Sequence, residues 1–268
     1  MPAQPILERI LVAKRREMEE ARAVLPLADV KAQVADAPPV RDFYAALREG
    51  NQPRPRVIAE IKRRSPSGGD IRPRANAVEI AQQYMLNGAA AISVLTDVEF
   101  FGGSLIDLVA VRAGTRLSIL RKDFVIDPYM VWRARAAGAD AVLLIVTALE
   151  PDTLAELAAL VAELGMSALI EVHSQKELEQ AMRLDPAPRI IGVNHRDLRT
   201  FEMDMTLAAR LRKQLPAEVA VVAESGIKTA DDLRHMGEAG CDAVLVGETL
   251  MRSPDPGAAL RELLRGCS

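Results

Sequence analysis

Cysteine and histidine are both scarce in this chain of 268 residues, which contains two cysteines and three histidines. Cys241 and Cys267 are too few to build a disulfide framework. His173, His195 and His235 lie far apart and have no spacing typical of a zinc site. The sequence therefore predicts neither a disulfide framework nor a metal site.

An excess of charge of one sign is also missing, and so is any long apolar run. The 34 basic and 37 acidic side chains give a formal net charge of −3, which argues against a broad nucleic-acid-binding surface. No apolar run approaches the ~18 residues that a membrane-spanning helix needs. Charges interrupt the N-terminal stretch, which lacks the apolar centre of a signal peptide. We therefore predict a cytoplasmic protein without nucleic-acid or membrane partners; its protein partners cannot be predicted.

Short runs of Val, Ile and Leu are abundant, in a chain of which 49% is hydrophobic. Eight runs have the length of a strand, and most do not alternate with polar residues. This pattern is typical of parallel strands that helices cover on one face and barrel side chains fill on the other. The predicted strands are Val57–Ile61, Ala90–Leu95, Leu117–Arg121, Asp140–Ile145, Ser167–Val172, Arg189–Val193, Val219–Glu224 and Asp242–Gly247.

Amphipathic stretches lie between these runs, so that strand and helix alternate. They include Asn76–Asn87, Pro151–Leu164, Gln175–Arg183 and Thr229–Ala239. Asp152 and Thr229 are placed to cap two of these helices. An alternation repeated eight times favours a closed (β/α)8 barrel, the TIM barrel of the α/β class, over a doubly wound sheet. Periodicity alone does not exclude the open sheet.

The first fifty residues do not follow this alternation. Ile6–Val24 and Leu27–Val34 are predicted helices, and a third is predicted around Arg41–Arg48. Gln52–Arg56, with two prolines, joins this segment to the first strand. We therefore predict a single domain, in which residues 1–50 form an N-terminal helical extension and residues 51–268 form the barrel. Three roles stay open for the extension: a lid over the barrel, a plug under it, or an oligomer contact.

Polar and charged residues end five of the predicted strands, where the active site of such a barrel forms. They are Glu60 in the first strand and Lys62 after it, Lys122 after the third, Glu171 at the fifth, Asn194 and Arg196 after the sixth, and Glu224 at the seventh. The alternative is a set of structural salt bridges, but buried ion pairs are weak evidence of stability and apolar residues often replace them. No structural need places such groups at one end of five strands, which predicts an active site.

Two glycine-bearing loops follow the last two predicted strands. Ser225-Gly226 and Gly247-Glu248 each precede a helical stretch. Glycine lets the backbone approach an anion, helix N-terminal amides donate to it, and barrels commonly hold phosphate between these two loops. A lone glycine would explain no more than a turn, whereas two glycines in the expected loops predict a phosphate site. The Glu248 carboxylate must then point away from the phosphate, with only its amide facing it.

Longer strings around these residues, in this order and at barrel spacing, resemble the indole-3-glycerol phosphate synthase family. They are AEIKRRSPSGG (59–69), VLTDVEFFGGS (94–104), LRKDFVID (120–127), GADAVLLI (138–145), LIEVHS (169–174), IGVNHRDLRTF (191–201), AESGI (223–227) and AVLVGETLM (243–251). The resemblance covers about Ile6 to Met251. It implies a (β/α)8 barrel whose N-terminal helical segment helps to close the top.

The resemblance also implies a reaction of tryptophan biosynthesis on a phosphorylated small molecule. The family closes an indole ring in 1-(2-carboxyphenylamino)-1-deoxyribulose 5-phosphate and releases carbon dioxide and water, without a metal or organic cofactor. By resemblance, Lys122 is the general acid of ring closure. Glu171 stabilises the cationic intermediate and serves as acid or base in dehydration. Lys62 either pairs with the substrate carboxylate or is the acid of the second step, and both options stay open.

The resemblance gives the remaining matched residues roles in binding the substrate or in supporting the catalytic groups. The resemblance implies that Glu60 and Asn194 position the catalytic groups and the substrate hydroxyls. It further implies that Ser65, Arg196 and the backbones of Ser225, Gly226, Gly247 and Glu248 bind the substrate, with Arg196 contacting an anionic group, and that Glu224 is a supporting carboxylate.

Five residues near the matched ones are interpreted separately, and one of them, Phe124, is a candidate supporting residue of the site. His195 lies between two matched residues, and strand parity turns its side chain away from theirs. We therefore interpret His195 as structural, and His173, which follows a matched glutamate, in the same way. Phe100, Phe101 and Phe124 either wall the anthranilate ring or belong to the core under a loop.

Two other functions are weighed against the family's reaction. One is another phosphate-binding barrel of the pathway, such as phosphoribosylanthranilate isomerase. That reaction needs a different acid–base pair, and a rim with two lysines and two glutamates fits it poorly. The other is a barrel that serves only for binding or as a scaffold, which predicts the loss of rim charges. Every charged rim position is intact.

Overall fold

The computed structural model of the chain describes residues 6–49, 54–66, 68–197 and 202–267. Several sequence predictions fall partly outside the described residues. They are residues 1–5 of the extension, its boundary with the barrel at residues 50 and 51, the start of the linker Gln52–Arg56, Ser67, and the end of the string 191–201.

Eight parallel strands close into a barrel, which confirms the predicted fold and excludes the open sheet. The strands are β1 Arg56–Ile61, β4 Ala91–Leu95, β5 Ser118–Lys122, β6 Ala141–Ile145, β7 Ser167–Val172, β8 Ile190–Asn194, β9 Ala220–Glu224 and β10 Ala243–Val246. Each strand begins and ends within one residue of its predicted bounds. Hydrogen bonds join the strands in the order β1-β10-β9-β8-β7-β6-β5-β4, and β4 pairs again with β1. A short hairpin that was not predicted, β2 Arg64–Ser65 with β3 Gly69–Asp70, lies in the loop after β1.

Alternating strand residues divide the core into two layers. In β1, Val57, Ala59 and Ile61 pack outward against the helices, whereas Ile58 packs among the side chains that fill the barrel. Because side chains alternate along a strand, Glu60 shares the inward face with Ile58. The same parity directs Glu171 of β7 inward beside Leu169 of the inner layer. A polar residue at the end of an inward row therefore reaches the mouth of the barrel.

Helices cover the outside of the barrel, and short polar side chains begin most of them. They are α4 Ala77–Leu86, α5 Leu105–Gly114, α6 Pro128–Ala136, α7 Pro151–Glu163, α8 Gln175–Ala181, α9 Leu207–Arg212, α10 Ala230–Glu238, α11 Glu248–Arg252 and α12 Pro256–Leu264. Thr229 caps α10 as predicted, in a reciprocal pair with Asp232. The prediction that Asp152 is a cap is wrong: Pro151 occupies the first helical position, where it needs no N–H partner, and Asp152 follows inside the first turn.

The N-terminal extension covers both mouths of the barrel, so two of its three predicted roles hold together. It contains α1 Ile6–Val24, α2 Leu27–Val34 and α3 Phe43–Arg48. Ile6, Leu7 and Ile10 of α1 line the cavity at the carboxyl ends of the strands and form a lid. Phe43 and Leu47 of α3 are fully buried in the inner layer and plug the opposite end.

A buried lysine ties the lid to two loops of the barrel. Nζ of Lys14 lies 2.9 Å from Oδ2 of Asp97 and 2.9 Å from Oδ1 of Asp123, and the lysine side chain is only 1% exposed. Asp97 follows β4 and accepts the backbone N–H groups of Phe100 and Phe101. Asp123 directly follows the predicted general acid at the end of β5. We call Lys14, Asp97 and Asp123 the Lys14 cluster.

The described residues contain neither a candidate membrane-spanning helix nor a candidate metal-binding group. None of the helices there has both the length and the apolar character to cross a bilayer. None of the His, Cys, Asp and Glu side chains there form a group of three or more that could hold a metal ion.

Candidate active site

A cavity of about 510 Å³ opens between the carboxyl ends of the barrel strands and the lid. The structure brings every predicted site residue to its wall, although they come from distant parts of the chain. They are Glu60, Lys62, Ser65, Lys122, Phe124, Glu171, Asn194, Arg196, Glu224, Ser225, Gly226, Gly247 and Glu248. Their common location follows from strand parity and from the parallel direction of the strands.

Lys122 lies at the centre of a group of acidic side chains. Its Nζ donates to Oε2 of Glu171 at 3.3 Å and lies 3.6 Å from Oε2 of Glu224. Lys62 forms a second pair with Glu60, at 2.9 Å between Nζ and Oε1. Glu171 and Glu224 are almost fully buried, whereas both lysines are partly exposed to the cavity. The site therefore holds two lysine–carboxylate pairs whose lysines face the space available to a ligand.

Burial and mutual charge set the protonation state of this group. Burial alone would lower the pKa of Lys122, but Glu171, Glu224 and Glu60 together hold it well above its usual value. Burial would also raise the pKa of Glu171, but Lys122 and His173 hold it far below its usual range. The pKa of Glu224 lies well above its usual value, because burial and repulsion from Glu171 both disfavour its charge. These shifts favour the charged forms of Lys122 and Glu171 and the neutral form of Glu224.

Asn194 and Ser225 connect the centre to the glycine loops. Oδ1 of Asn194 accepts the backbone N–H of Arg196 at 3.0 Å and the Oγ–H of Ser225 at 2.8 Å. Ser225 has φ +68°, a left-handed conformation that costs a residue with a Cβ. Nδ1 of buried His195 lies 3.0 Å from the carbonyl oxygen of Ser225. His195 therefore supports this loop from behind, in agreement with its interpretation as structural.

The two glycine loops leave room for an anion and for the catalytic carboxylates. Gly226 has φ +85°, which glycine adopts without strain. A Cβ on Gly247 would overlap the Glu60 carboxylate. The Glu248 carboxylate pairs with Nε of Arg252 at 2.8 Å. The Glu248 carboxylate thus has Arg252 as its partner, as a phosphate site at this loop would require.

Apolar side chains form the wall opposite the charges. Phe101 and Phe124 line the cavity with their ring centroids 6.1 Å apart. The prediction that aromatic residues wall the site therefore applies to these two, whereas Phe100 does not line this cavity. All three rings belong to the inner core layer or pack against it. Ile6 and Leu7 of the lid also line this wall. The sequence did not predict their place, because a helix that forms a lid, a plug or an oligomer contact has the same amphipathic pattern.

His173 is the most important residue whose place the sequence interpretation missed. Its Nε2 lies 3.2 Å from Oε1 of Glu171, and its Nδ1 lies 3.1 Å from Oε2 of Glu177. The signal that could have found it is parity, because His173 lies two residues after Glu171 and faces the same side. Lys228 and Arg252 also line the cavity, but nothing in their local sequence distinguishes them from surface residues.

The fold and the cavity define an acid–base enzyme built on a (β/α)8 barrel. The sequence model of the family "Indole-3-glycerol phosphate synthase" matches residues 7–263. A protein of that name from Dehalococcoides mccartyi is 48% identical over 97% of this chain and 100% of its own length. Another, from Arthrobacter sp., is 45% identical over 96% of this chain and 94% of its own length. The chain belongs to the indole-3-glycerol phosphate synthase family.

Solved structures of lower similarity agree on the fold alone. A thiamine phosphate pyrophosphorylase from Pyrococcus furiosus superposes with a TM-score of 0.60 at 19% identity, covering 84% of this chain and 98% of that structure. A 3-hexulose-6-phosphate synthase superposes with a TM-score of 0.61 at 16% identity, covering 80% of this chain and 100% of that structure.

Proposed function

We propose that this chain converts 1-(2-carboxyphenylamino)-1-deoxyribulose 5-phosphate into indole-3-glycerol phosphate, the decarboxylating ring closure of its family in tryptophan biosynthesis. One observation carries the assignment of roles: Lys122 and Glu171 lie 3.3 Å apart at one wall of the cavity. They form an acid–base pair at a distance that allows both to contact one substrate.

In ring closure, the ring carbon that bears the carboxylate attacks the ketone carbon, and a C–C bond forms. The ketone oxygen gains negative charge and takes a proton from Lys122, which the surrounding carboxylates keep protonated. Carbon dioxide then leaves the ring carbon, and its bonding electrons return to the ring system. Glu171, ionised beside this position, stabilises the cationic intermediate.

In dehydration, the hydroxyl derived from the ketone leaves as water while a base accepts a proton. Glu171 is the proposed base, and Lys62 is either the acid for the departing hydroxyl or the partner of the substrate carboxylate. Glu60 holds Lys62 at 2.9 Å and so orients it in both cases. Ser225 of the proposed phosphate-binding loop donates a hydrogen bond to Asn194. Binding of the 5-phosphate at this loop and of the substrate hydroxyls at Asn194 would fold the substrate chain back on the ring.

The phosphate is proposed to bind between the two glycine loops. Backbone N–H groups of Gly226 and Gly247 and the N-terminus of α11 supply donors, while Ser65 and Arg196 approach from neighbouring loops. Phe101 and Phe124 are proposed to contact the anthranilate ring. This arrangement separates the charged end of the substrate from its aromatic end.

The test is steady-state formation of indoleglycerol phosphate by the purified protein in buffer with EDTA, followed by indole fluorescence. Lys122→Met is expected to lower turnover at least ~100-fold, because the general acid is lost. The matched control is Lys176→Met on the exposed start of α8, which should keep full activity. Near-normal turnover of Lys122→Met would remove Lys122 from the mechanism, and turnover of phosphoribosylanthranilate instead would favour the isomerase.

A further inference from the structure

A chain of alternating charges extends from Lys122 away from the cavity. It runs from Lys122 through Glu171 and His173 to Glu177, with contacts of 3.3, 3.2 and 3.1 Å. His173 does not line the cavity, and its side chain is 5% exposed. It therefore acts on the reaction only through Glu171.

Two elements fix the histidine ring in this place. His173 follows the last residue of β7, and Ser174 caps α8 by accepting the backbone N–H of Glu177. The Glu177 carboxylate returns to His173, where it accepts the backbone N–H at 2.8 Å and contacts Nδ1. The ring is thus held at its outer nitrogen, and its inner nitrogen faces Oε1 of Glu171 while Lys122 approaches Oε2.

The charges around this ring favour its protonated form. Burial would lower the pKa of His173, but Glu171 and Glu177 raise it to about 10. The positive end of the α8 dipole also disfavours a cation at this position. A buried imidazolium is retained here because two carboxylates contact it.

We propose that His173 is a positioning residue for the reaction: held by Glu177, it fixes the Glu171 carboxylate against Lys122 and places a second positive charge beside it. This inference rests on the proposed function, in which Glu171 is the base. A structural role restricted to capping α8 would need the Glu177 contact but not the contact with Glu171.

The first experiment compares His173→Gln, which keeps a neutral donor, with His173→Leu, which keeps none. Loss of the charged partner of Glu171 predicts that kcat falls about 10-fold in the first variant and about 100-fold in the second, with KM changed less than about 2-fold. The charged and titratable groups that face Glu171 are Lys122, His173 and Glu224, and Glu60 acts in turn on Lys122 and Glu224.

The pH profile of kcat separates this role from a structural one. Removing the imidazolium raises the pKa of Glu171, so its carboxylate becomes protonated at higher pH. The acid limb of kcat should therefore move to higher pH in both variants. The control is His235→Gln on the exposed face of α10, which should leave kcat and its acid limb unchanged. Unchanged kcat and acid limb in both His173 variants would overturn the proposal.

A second measurement does not depend on activity. Histidine ¹⁵N NMR of the wild-type protein should show His173 as an imidazolium through pH 8, and Glu177→Gln should lower its titration midpoint. A neutral His173 ring at pH 7.5 would refute the inference even in a fully active enzyme. Failure of the wild-type protein to form indoleglycerol phosphate would instead refute the proposed function and leave the NMR result to decide the charge of His173.

Discussion

The buried ammonium of Lys14 links the lid to the barrel, and Lys14→Met removes that charge while keeping a chain of similar length. The ammonium contacts Asp97 and Asp123 at 2.9 Å each. Neither carboxylate has solvent access to compensate for the loss, because both side chains are at most 2% exposed. Asp123 keeps Arg121 at 2.8 Å, whereas Asp97 keeps the backbone N–H groups of Phe100 and Phe101.

The expected loss of stability follows from this imbalance. Removing one partner of a buried ion pair typically costs about 3–5 kcal/mol, because the other charge stays buried and unpaired. We place Lys14→Met near the lower end, at about 3 kcal/mol, since Arg121 still pairs with Asp123. With a urea dependence of about 3 kcal/mol per molar, the unfolding midpoint should fall by about 1 M.

The assay is urea unfolding followed by far-ultraviolet circular dichroism and by fluorescence of Trp132, the single tryptophan. Trp132 lies on α6 under Lys31 of α2 and so reports the contact between extension and barrel. We propose that residues 1–50 and the barrel form one domain, and expect the two signals to change together. The matched control is Arg16→Met on the same helix as Lys14, which breaks an exposed pair with Glu99 of the loop after β4 and should cost less than ~1 kcal/mol.

Adding Asp97→Asn to Lys14→Met should restore part of the lost stability. The asparagine oxygen still accepts the backbone N–H groups of the loop, but the unpaired charge is gone. A loss below about 1 kcal/mol in Lys14→Met, or a double variant less stable than the single one, would refute the account of the Lys14 cluster.

Two further predictions concern the cavity and low pH. Gly192→Ala should lower kcat more than 10-fold, because a Cβ there would overlap Oε1 of Glu224 and displace its carboxyl group from Lys122; a kcat within 2-fold of wild type would show that Glu224 has room to move. Burial would raise the pKa of Asp123, but Arg121 and Lys14 lower it from 3.8 to about 2. Its contribution, on the order of 2 kcal/mol, is present above pH 4 and lost as the pH falls to 2. In urea titrations, Asp123→Asn should flatten the stability profile across that window, and an unchanged slope would contradict the assignment.

The strands were predictable because each is a nearly continuous apolar run, which only a strand buried on both faces requires. The site residues were predictable because they interrupt those runs at the carboxyl end. The hairpin of β2 and β3 was missed because Gly68, Gly69 and Asp70 have turn character and no apolar alternation. Asp152 was misassigned because proline and aspartate both favour the start of a helix, and the first helical position went to proline.

Contacts between distant residues could not be predicted in this way. Lys14 lies on an amphipathic helix among other charged residues, and its sequence context is that of a solvent-exposed face. Its burial depends on Asp97 and Asp123, which lie more than eighty residues away along the chain. Strand parity could have predicted that His173 faces the same side as Glu171. Its charge could not be predicted, because it depends on the Glu177 side chain, which turns back from α8 to contact the ring.

The left-handed backbone at Ser225 has a consequence for how binding and chemistry communicate. This residue is held from one side by the ring of His195 and from the other by the amide of Asn194. In the proposed function, a phosphate bound at the loop after β9 contacts the same residue, Ser225, that donates a hydrogen bond to the Asn194 amide. Binding of the phosphate would then also align the reacting part of the substrate. A substrate analogue without the phosphate should therefore show a lower kcat as well as weaker binding.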